Sequence, residues 1–442
     1  MSVYRRFQIG MFFALRCLLT YFEGVLLVSW QKEYQNKLVT PEYVASFFNS
    51  GDTIGMGGGT GIPPAIGKAF GARAEELENV QVLQGFATSI HDYMLPKNKG
   101  RIQIQTIFVG PAERLCMDWG TLDFVPNHLG SMSEWAHDAK PTKIAFMVTP
   151  PDENGYMNLS LFAGLVPHSI REQAELVFVE VNRNTPWLIS PDYQIHVSQI
   201  NGIVENDSPL FEMPEIPITS VEERIAAEIA DMIPDGSTIQ LGLGGLANSI
   251  GHFLKHKKHL GIHSEVVSNS IMELFKCGAA DNSLKTHMPG KSVYTFAVGT
   301  QELYSFLDKN QDFIAFEIGY TNDPAIIAKN ENIVSVNNAI SLDLTGQVAS
   351  ESIGTHQYSA TGGQVNFVLG AQKAKNGKSI LALNSTYQDK EGNLCSRINP
   401  TLEPGTVVST SRNDVQWIVT EYGSAMLKNK SISNRVKQLI NI

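Results

Sequence analysis

The chain has 442 residues, 43% hydrophobic and 18% charged, enough to bury the cores of two large domains or three ordinary ones. Its 34 Lys and Arg against 44 Asp and Glu leave a net charge of −10. This excludes a non-specific nucleic-acid binder, which needs clustered cations to displace phosphate counterions. The four cysteines, Cys17, Cys116, Cys277 and Cys395, have no metal-ligand or redox spacing. Neither a disulfide framework nor a cysteine zinc site is expected, and the composition fits a soluble, cytoplasmic protein.

Residues 1–29 come first. Met11 to Trp30 is mostly apolar, which invites a signal peptide or a membrane anchor, with Arg5 and Arg6 as the basic flank. Arg16 and Glu23 interrupt the run, and each charge near a bilayer centre costs about 2.5–3.5 kcal/mol. No small-residue cleavage site follows. The segment is therefore expected to be an N-terminal extension outside the fold.

Val39–Phe70 and Val221–Leu254 then read as two copies of one unit. With Gly51 set on Gly236, Thr53-Ile54 falls on Thr238-Ile239, and Gly57 and Gly59 fall on Gly242 and Gly244. Each copy reads helix, short strand, glycine-rich turn, helix. In the first, Thr40-Pro41 starts the helix and Gly51 stops it. In the second, Ser220 and Glu223 have capping-box spacing, Ile225, Ile229, Met232 and Ile233 recur at helical spacing, and Pro234-Asp235-Gly236 turns the chain. Fainter echoes pair Lys143–Val148 with Ser379–Leu383, Asp152–Gly155 with Asp389–Gly392, and Val177–Glu180 with Ile418–Glu421. The expectation is an α/β protein of two tandem, related open domains, residues 30–215 and 216–442, joined near Met213–Pro217, with a site between them at strand C-terminal ends.

The glycine turns Gly55–Gly61 and Gly242–Gly245 are not P-loops, since no Gly-Lys-Ser/Thr follows. Gly242–Ala247 fits G-x-G-x-x-A, with Glu265 23 residues past Gly242, so a dinucleotide-binding oxidoreductase is one reading. The plain alternative is a tight strand-to-helix turn. The doubled, glycine-dense form favours backbone amides offered to an oxyanion or phosphate. His252, His256, His259 and His263 crowd one stretch, but Lys255, Lys257 and Lys258 stand among them. A solvated basic helix end fits better than a metal site. No G-x-S-x-G elbow occurs. Three glutamates remain as candidate nucleophiles or bases on equal terms: Glu265 at the end of an apolar strand, Glu317 and Glu351.

Taken together, these segments carry a resemblance. Gly51-Asp52…Gly57-Gly58, His196-Val197-Ser198, Gln240-Leu241-Gly242, His263-Ser264-Glu265, Asn322-Asp323-Pro324, Gly346-Gln347-Val348…Glu351–Gly354, Gly362-Gly363-Gln364 and Thr410–Val415 run in one order from about Trp30. In that order the chain resembles the acetyl-CoA hydrolase/transferase family of CoA-transferases, closest to the 4-hydroxybutyrate and butyryl-CoA:acetate enzymes. It departs from the family at Asn269-Ser270, where Asp-Gly is usual, and at Asn366, where Asp is common.

The resemblance implies tandem CoA-transferase domains and a glutamate nucleophile at Glu265, which breaks the tie with Glu317 and Glu351. It implies oxyanion or CoA contacts at Gly244, Gly245, Leu246, Gly362 and Gly363, and an active-site asparagine at Asn322. It further implies acyl-CoA and small carboxylic acids as substrates, CoA as a substrate with no resident cofactor, no metal, no nucleic acid, and a homo-oligomer. An acyl-CoA hydrolase on the same scaffold is the nearest alternative.

Overall fold

A computed structural model describes residues 30–165, 168–214 and 217–442. The expected extension, residues 1–29, and the middle of the expected linker, residues 215–216, lie outside the described residues, as does Cys17. The other three cysteines are free. Among the described residues no helix is long and apolar enough to cross a membrane.

The first half forms one sheet from β1 (Thr53–Met56), β2 (Val80–Gln84), β3 (Ile102–Thr106), β4 (Leu122–Phe124), β5 (Lys143–Val148), β6 (Leu176–Val181) and β7 (Gly202–Glu205). The order is β4-β3-β2-β1-β5-β6-β7, and every pair is parallel. Parallel strands covered on both faces need nearly unbroken apolar runs. β5 supplies one: five consecutive residues, Ile144–Val148, are buried.

The second half contributes β8 (Thr238–Leu241), β9 (Gly261–Ile262), β10 (Val266–Val267), β11 (Ser292–Tyr294), β12 (Phe296–Ala297), β13 (Phe313–Ala315), β14 (Ile333–Asn338), β15 (Lys378–Ala382), β16 (Trp417–Thr420) and β17 (Gly423–Met426). Its main sheet runs β9-β8-β14-β15-β16-β17, parallel except for the last pair. Past β9 the sheet continues in steps: β10 pairs with β12, β11 with β13, and His263 bridges to Val293. The segment 261–267 is thus one strand broken at residues 263–265.

The duplication holds where its signal was strongest. β1 and β8 are the strands flanked by the two glycine turns, and each turn leads into a helix, α1 (Pro64–Ala72) and α3 (Gly245–Phe253). The fainter echoes pair the wrong strands. β5 lies directly beside β1, and its counterpart beside β8 is β14; β15 stands one place further out, where β6 does. A recurrent turn explains the false match. Asp152 Oδ1 accepts from the N–H of Asn154 and Tyr156, Asp389 Oδ1 from Glu391 and Asn393, and Asp343 Oδ1 from Thr345 and Gln347. Asx-type turns of this kind recur wherever Asp precedes Gly in a loop. The second of the three was mistaken for the third.

Helix α2 (Ser220–Asp231) starts one residue earlier than its pattern suggested. Thr219, not Ser220, is the cap: its hydroxyl accepts from Glu222 N–H at 3.2 Å, and Glu222 accepts from Thr219 N–H at 2.9 Å. Thr219 and Glu222 thus form the capping box, and the helix buries Ile225, Ala226, Ile229 and Ala230. One continuous apolar cluster joins the two halves, from Tyr34 and Phe146 to Ile239 and Val419. Polar ties reinforce it: the Tyr193 hydroxyl, with its one hydrogen, lies between Thr295 O at 2.5 Å and Phe316 O at 2.9 Å, and that of Tyr304 donates to Phe211 O at 2.7 Å.

Candidate active site

The break in the strand 261–267 sets the site. Ser264 N–H donates to Val293 O at 3.0 Å, which keeps the pairing up to the break, and its hydroxyl donates to Leu241 O at 3.1 Å. The carbonyl of Glu265 then accepts two amides, Thr295 N–H at 3.1 Å and Phe296 N–H at 3.2 Å. The register is the same on both sides of the break, His263 with Val293 and Val266 with Phe296, so no residue is inserted and the ladder is interrupted only at residues 264–265. Here the side chain turns into a cavity between the halves. Ser268 follows and starts helix α4 (Asn269–Lys276).

Glu265 Oε2 accepts from Asn322 Nδ2 at 2.7 Å. Oε1 has no hydrogen-bond partner among the described residues. Asn322 is fully buried directly after the short helix α5 (Ile318–Thr321), and its N–H donates to Ile318 O at 2.9 Å. His263 fixes this corner from behind. Its Nδ1 lies 3.1 Å from the Asn330 amide nitrogen, a donor, so Nδ1 accepts and Nε2 carries the proton, which goes to Thr321 O at 2.9 Å. Burial holds the His263 pKa down to about 3, so the ring stays neutral and keeps this pattern. One broken strand therefore places both the glutamate and the clamp on its partner.

The Glu265 side chain keeps part of its surface open to the cavity, yet protein surrounds its carboxylate closely. Burial pushes its pKa up to about 7, opposed by the Asn322 hydrogen bond. The rival glutamates are occupied elsewhere. Glu351 Oε1 accepts from Ser409 Oγ at 2.9 Å and Oε2 from Thr361 Oγ1 at 3.1 Å, so it ties two loops together. Glu317 stands at the N-cap position of α5 with no side-chain bond to the helix, and its carboxylate accepts the His168 N–H.

The expected glycines part company. Gly363 begins helix α6 (Gln364–Lys373), and a Cβ there would lie 2.0 Å from Glu265 Oε2 and 2.4 Å from Asn322 Nδ2. Only a residue without a side chain lets the backbone approach this pair. Gly362 O accepts from Leu129 N–H at 3.0 Å, linking this loop to the first half. In the other turn, Gly242 and Leu243 line the cavity with Glu265, as do Ala247 and Ile250 of α3. Gly244, with φ +108, lines a separate cleft beside Lys255; Gly245 lies against the Glu222 carboxylate, and Leu246 is buried.

Two cavities meet at Glu265. One, of about 260 Å³, is walled by carbon, with Phe86, Phe108, Leu129 and Met132 from the first half facing Leu241 and Val336 from the second. The other, of about 300 Å³, runs past Gln240, Asn337, Ser350, Thr361, Gly362 and Gly363 and is far more polar. The aromatic wall was missed because its residues are scattered along the chain, Phe86 and Phe108 in loops of the first half, with no motif of their own. Asn337-Asn338, an abrupt polar end to the apolar run of β14, was the one signal that could have been found. The histidine crowd does not converge: His259 pairs with Asp281 at 2.8 Å on the surface, while His263 is buried as described.

Both halves of the chain match known domains. Residues 27–213 match the acetyl-CoA hydrolase/transferase N-terminal domain and residues 299–442 its C-terminal domain, with Glu265 between the two matches. The succinyl-CoA:cyclohexane-1-carboxylate CoA transferase of Geobacter metallireducens is 39% identical, over 94% of this chain and 94% of that protein. The 4-hydroxybutyrate coenzyme A transferase of Clostridium kluyveri is 37% identical, over 94% of this chain and 96% of its own length. Among solved structures, RipA from Yersinia pestis superposes with a TM-score of 0.86 at 34% identity, covering 93% of this chain and 95% of that one. On domain matches in both halves and on relatives aligned over nearly its full length, this chain belongs to the acetyl-CoA hydrolase/transferase family.

Proposed function

We propose that the protein is a CoA-transferase that moves CoA between a short-chain acyl-CoA and a free carboxylate such as acetate, with Glu265 as the covalent nucleophile. The observation that carries this reading is the pairing of Glu265 with Asn322 at the junction of an apolar and a polar cavity. Relatives that act as CoA-transferases support the reaction class.

The unpartnered Oε1 attacks the thioester carbonyl, and the C–S bond breaks to give a mixed anhydride and the CoA thiolate. The thiolate attacks the glutamyl carbonyl and expels the acyl group as a carboxylate, leaving a glutamyl-CoA thioester. The acceptor carboxylate attacks that thioester and again releases the thiolate. The thiolate then takes the new acyl group and frees Glu265. An aqueous carboxylate, with a pKa near 4.3, is a weak nucleophile. Raising its pKa to about 7 makes the ionised form more basic while leaving much of it ionised at neutral pH. The Gly363 backbone and the Asn322 amide are the groups beside the carboxylate that stabilise developing oxyanions, each such donor worth about 3–4 kcal/mol of barrier.

The Gly242–Ala247 fingerprint sits on a strand-to-helix turn, but Glu265, the acid it would offer to a ribose, is committed to the cavity. The hydrolase alternative differs only in whether water reaches the glutamyl intermediate. Acyl transfer from butyryl-CoA to acetate, measured beside thiol release without acetate, tests both. Transfer at least tenfold faster than release supports the transferase, and release alone supports the hydrolase. A cytoplasmic homo-oligomer without a resident cofactor completes the proposal, and light scattering on the purified protein tests the assembly.

A further inference from the structure

We infer that the carbon-walled cavity is the acyl subsite and that it selects an apolar acyl group of about five to seven carbons, up to a six-membered ring, over acetyl and over chains with a terminal hydroxyl or carboxylate. The inference rests on the CoA-transferase reading and names the substrate class of the same site.

Glu265 opens onto both cavities, so the acyl group lies in one and the pantetheine arm in the other. Pantetheine carries two amides and a hydroxyl, and burying these without partners is costly. The polar cavity, with Ser350, Thr361, Gln364 and the Gly362-Gly363 backbone, suits that arm. The acyl chain is left with the apolar one.

Its wall is a chain of aromatic rings. Phe108 meets Phe86 edge-on at 5.7 Å, Phe86 stacks on Phe162 at 6.4 Å, and Phe162 stacks on Phe296 at 4.9 Å. The wall is held rigidly. Glu113, itself fully buried, accepts from Ala87 N–H at 2.7 Å and Gly110 N–H at 2.9 Å, next to Phe86 and close to Phe108. The first glycine turn backs it: Gly59 donates to Phe86 O, and a Cβ on Gly59 would lie 2.3 Å from the Phe162 ring. That turn therefore shapes a pocket wall, with the Gly57, Gly59 and Gly61 amides spent on the carbonyls of Ala145, Phe86 and Gly58.

Size and polarity then select the ligand. A dry cavity of about 150 Å³ holds benzene, and this one measures about 260 Å³. A six-carbon ring fits with its carbonyl at Glu265, whereas acetyl leaves most of the space empty. Each methylene buried is worth roughly fourfold in binding. A terminal hydroxyl finds polar side chains only where the cavity opens, and there Asn338 alone keeps its amide unspent among the described residues. At the rim, the Asn337 amide is spent on Gln240 and Ser335, at 3.2 and 3.0 Å.

The test is kcat/KM for cyclohexanecarbonyl-, hexanoyl-, 4-hydroxybutyryl- and acetyl-CoA with acetate as common acceptor, for the wild type and for Ala247→Leu, which fills the cavity from α3. The expected result is at least 100-fold preference for the ring donor over acetyl-CoA and at least tenfold for hexanoyl- over 4-hydroxybutyryl-CoA. Ala247→Leu is expected to cut the ring-to-acetyl ratio at least tenfold. Equal or better use of acetyl- or 4-hydroxybutyryl-CoA, or an unchanged ratio in the variant, overturns the inference and leaves the CoA-transferase reading standing. No transfer from any donor overturns both.

Discussion

β2 and the broken strand β9–β10 occupy the same place in the two sheets, beside the strand that leads into each glycine turn. The registers make the match residue by residue. Thr53 pairs with Gln81, and its counterpart Thr238 pairs with Gly261, so Gly85 stands where Glu265 stands. Both positions line the apolar cavity. In the first half the strand runs unbroken over five residues and is hydrogen-bonded on both sides. In the second half only two residues pair regularly before the break that turns Glu265 inward. One copy kept the regular sheet and supplies a pocket wall; the other gave up sheet regularity and turns a carboxylate, the proposed nucleophile, into the cavity. The cost is a desolvated acid, visible in its raised pKa.

The sharpest way to break the comparison is to crowd the reactive copy. Gly363→Ala puts a methyl group 2.0 Å from Glu265 Oε2, so kcat/KM is expected to fall at least 1,000-fold while the thermal midpoint moves by only a few degrees. Retained activity would mean that this backbone does not approach the carboxylate. Asn322→Ala removes a hydrogen bond to a charged group, worth about 1.5–3 kcal/mol, and should lower kcat/KM roughly 10- to 100-fold. Because the Asn322 amide holds the Glu265 pKa down, the rising limb of the pH–rate profile, near pH 7 in the wild type, should move upward in this variant. A profile that stays in place would contradict Asn322 as the partner.

Stability should respond in the opposite sense to activity. The folded-state pKa of Glu265 lies above its unfolded value, so the unfolded state ionises first and stability drains away as pH rises from about 4.5 to about 7. Glu265→Gln should therefore be more stable than wild type by on the order of 2–3 kcal/mol at pH 8, and the gain should vanish below pH 4.5. Denaturant titration at the two pH values measures it, and a variant destabilised at pH 8 would refute the account. The smallest effects belong to the scaffold shared by both copies. Thr40→Ala and Thr219→Ala each remove a helix cap, costing about 1 kcal/mol and leaving kcat unchanged.

What was legible in the sequence follows the same division. The glycine turns and the α2 pattern showed the duplication because they are local signals, set by backbone geometry and helical period. Strand order is not local, and a repeated Asp turn was enough to misplace β14 and β15. Glu265 could not be told from Glu317 or Glu351 by strand-end position alone. What separates them is the partners each carboxylate meets, Asn322 for one and Ser409 with Thr361 for another, more than 50 residues away in the chain for Asn322 and Ser409. The aromatic wall was invisible for the same reason, since Phe86, Phe162 and Phe296 converge only in the folded chain. His263 read as one of a basic cluster because its role depends on Thr321 and Asn330.

The central claim is that Glu265 becomes covalently loaded with CoA. Incubation of the protein with an acyl-CoA in the absence of acceptor, followed by borohydride reduction and peptide mass mapping, tests it directly. The account predicts a CoA-mass adduct before reduction, a glutamate-derived alcohol at Glu265 after it, and neither in Glu265→Gln. An adduct that persists in Glu265→Gln, or one that maps to Glu317 or Glu351, would contradict it.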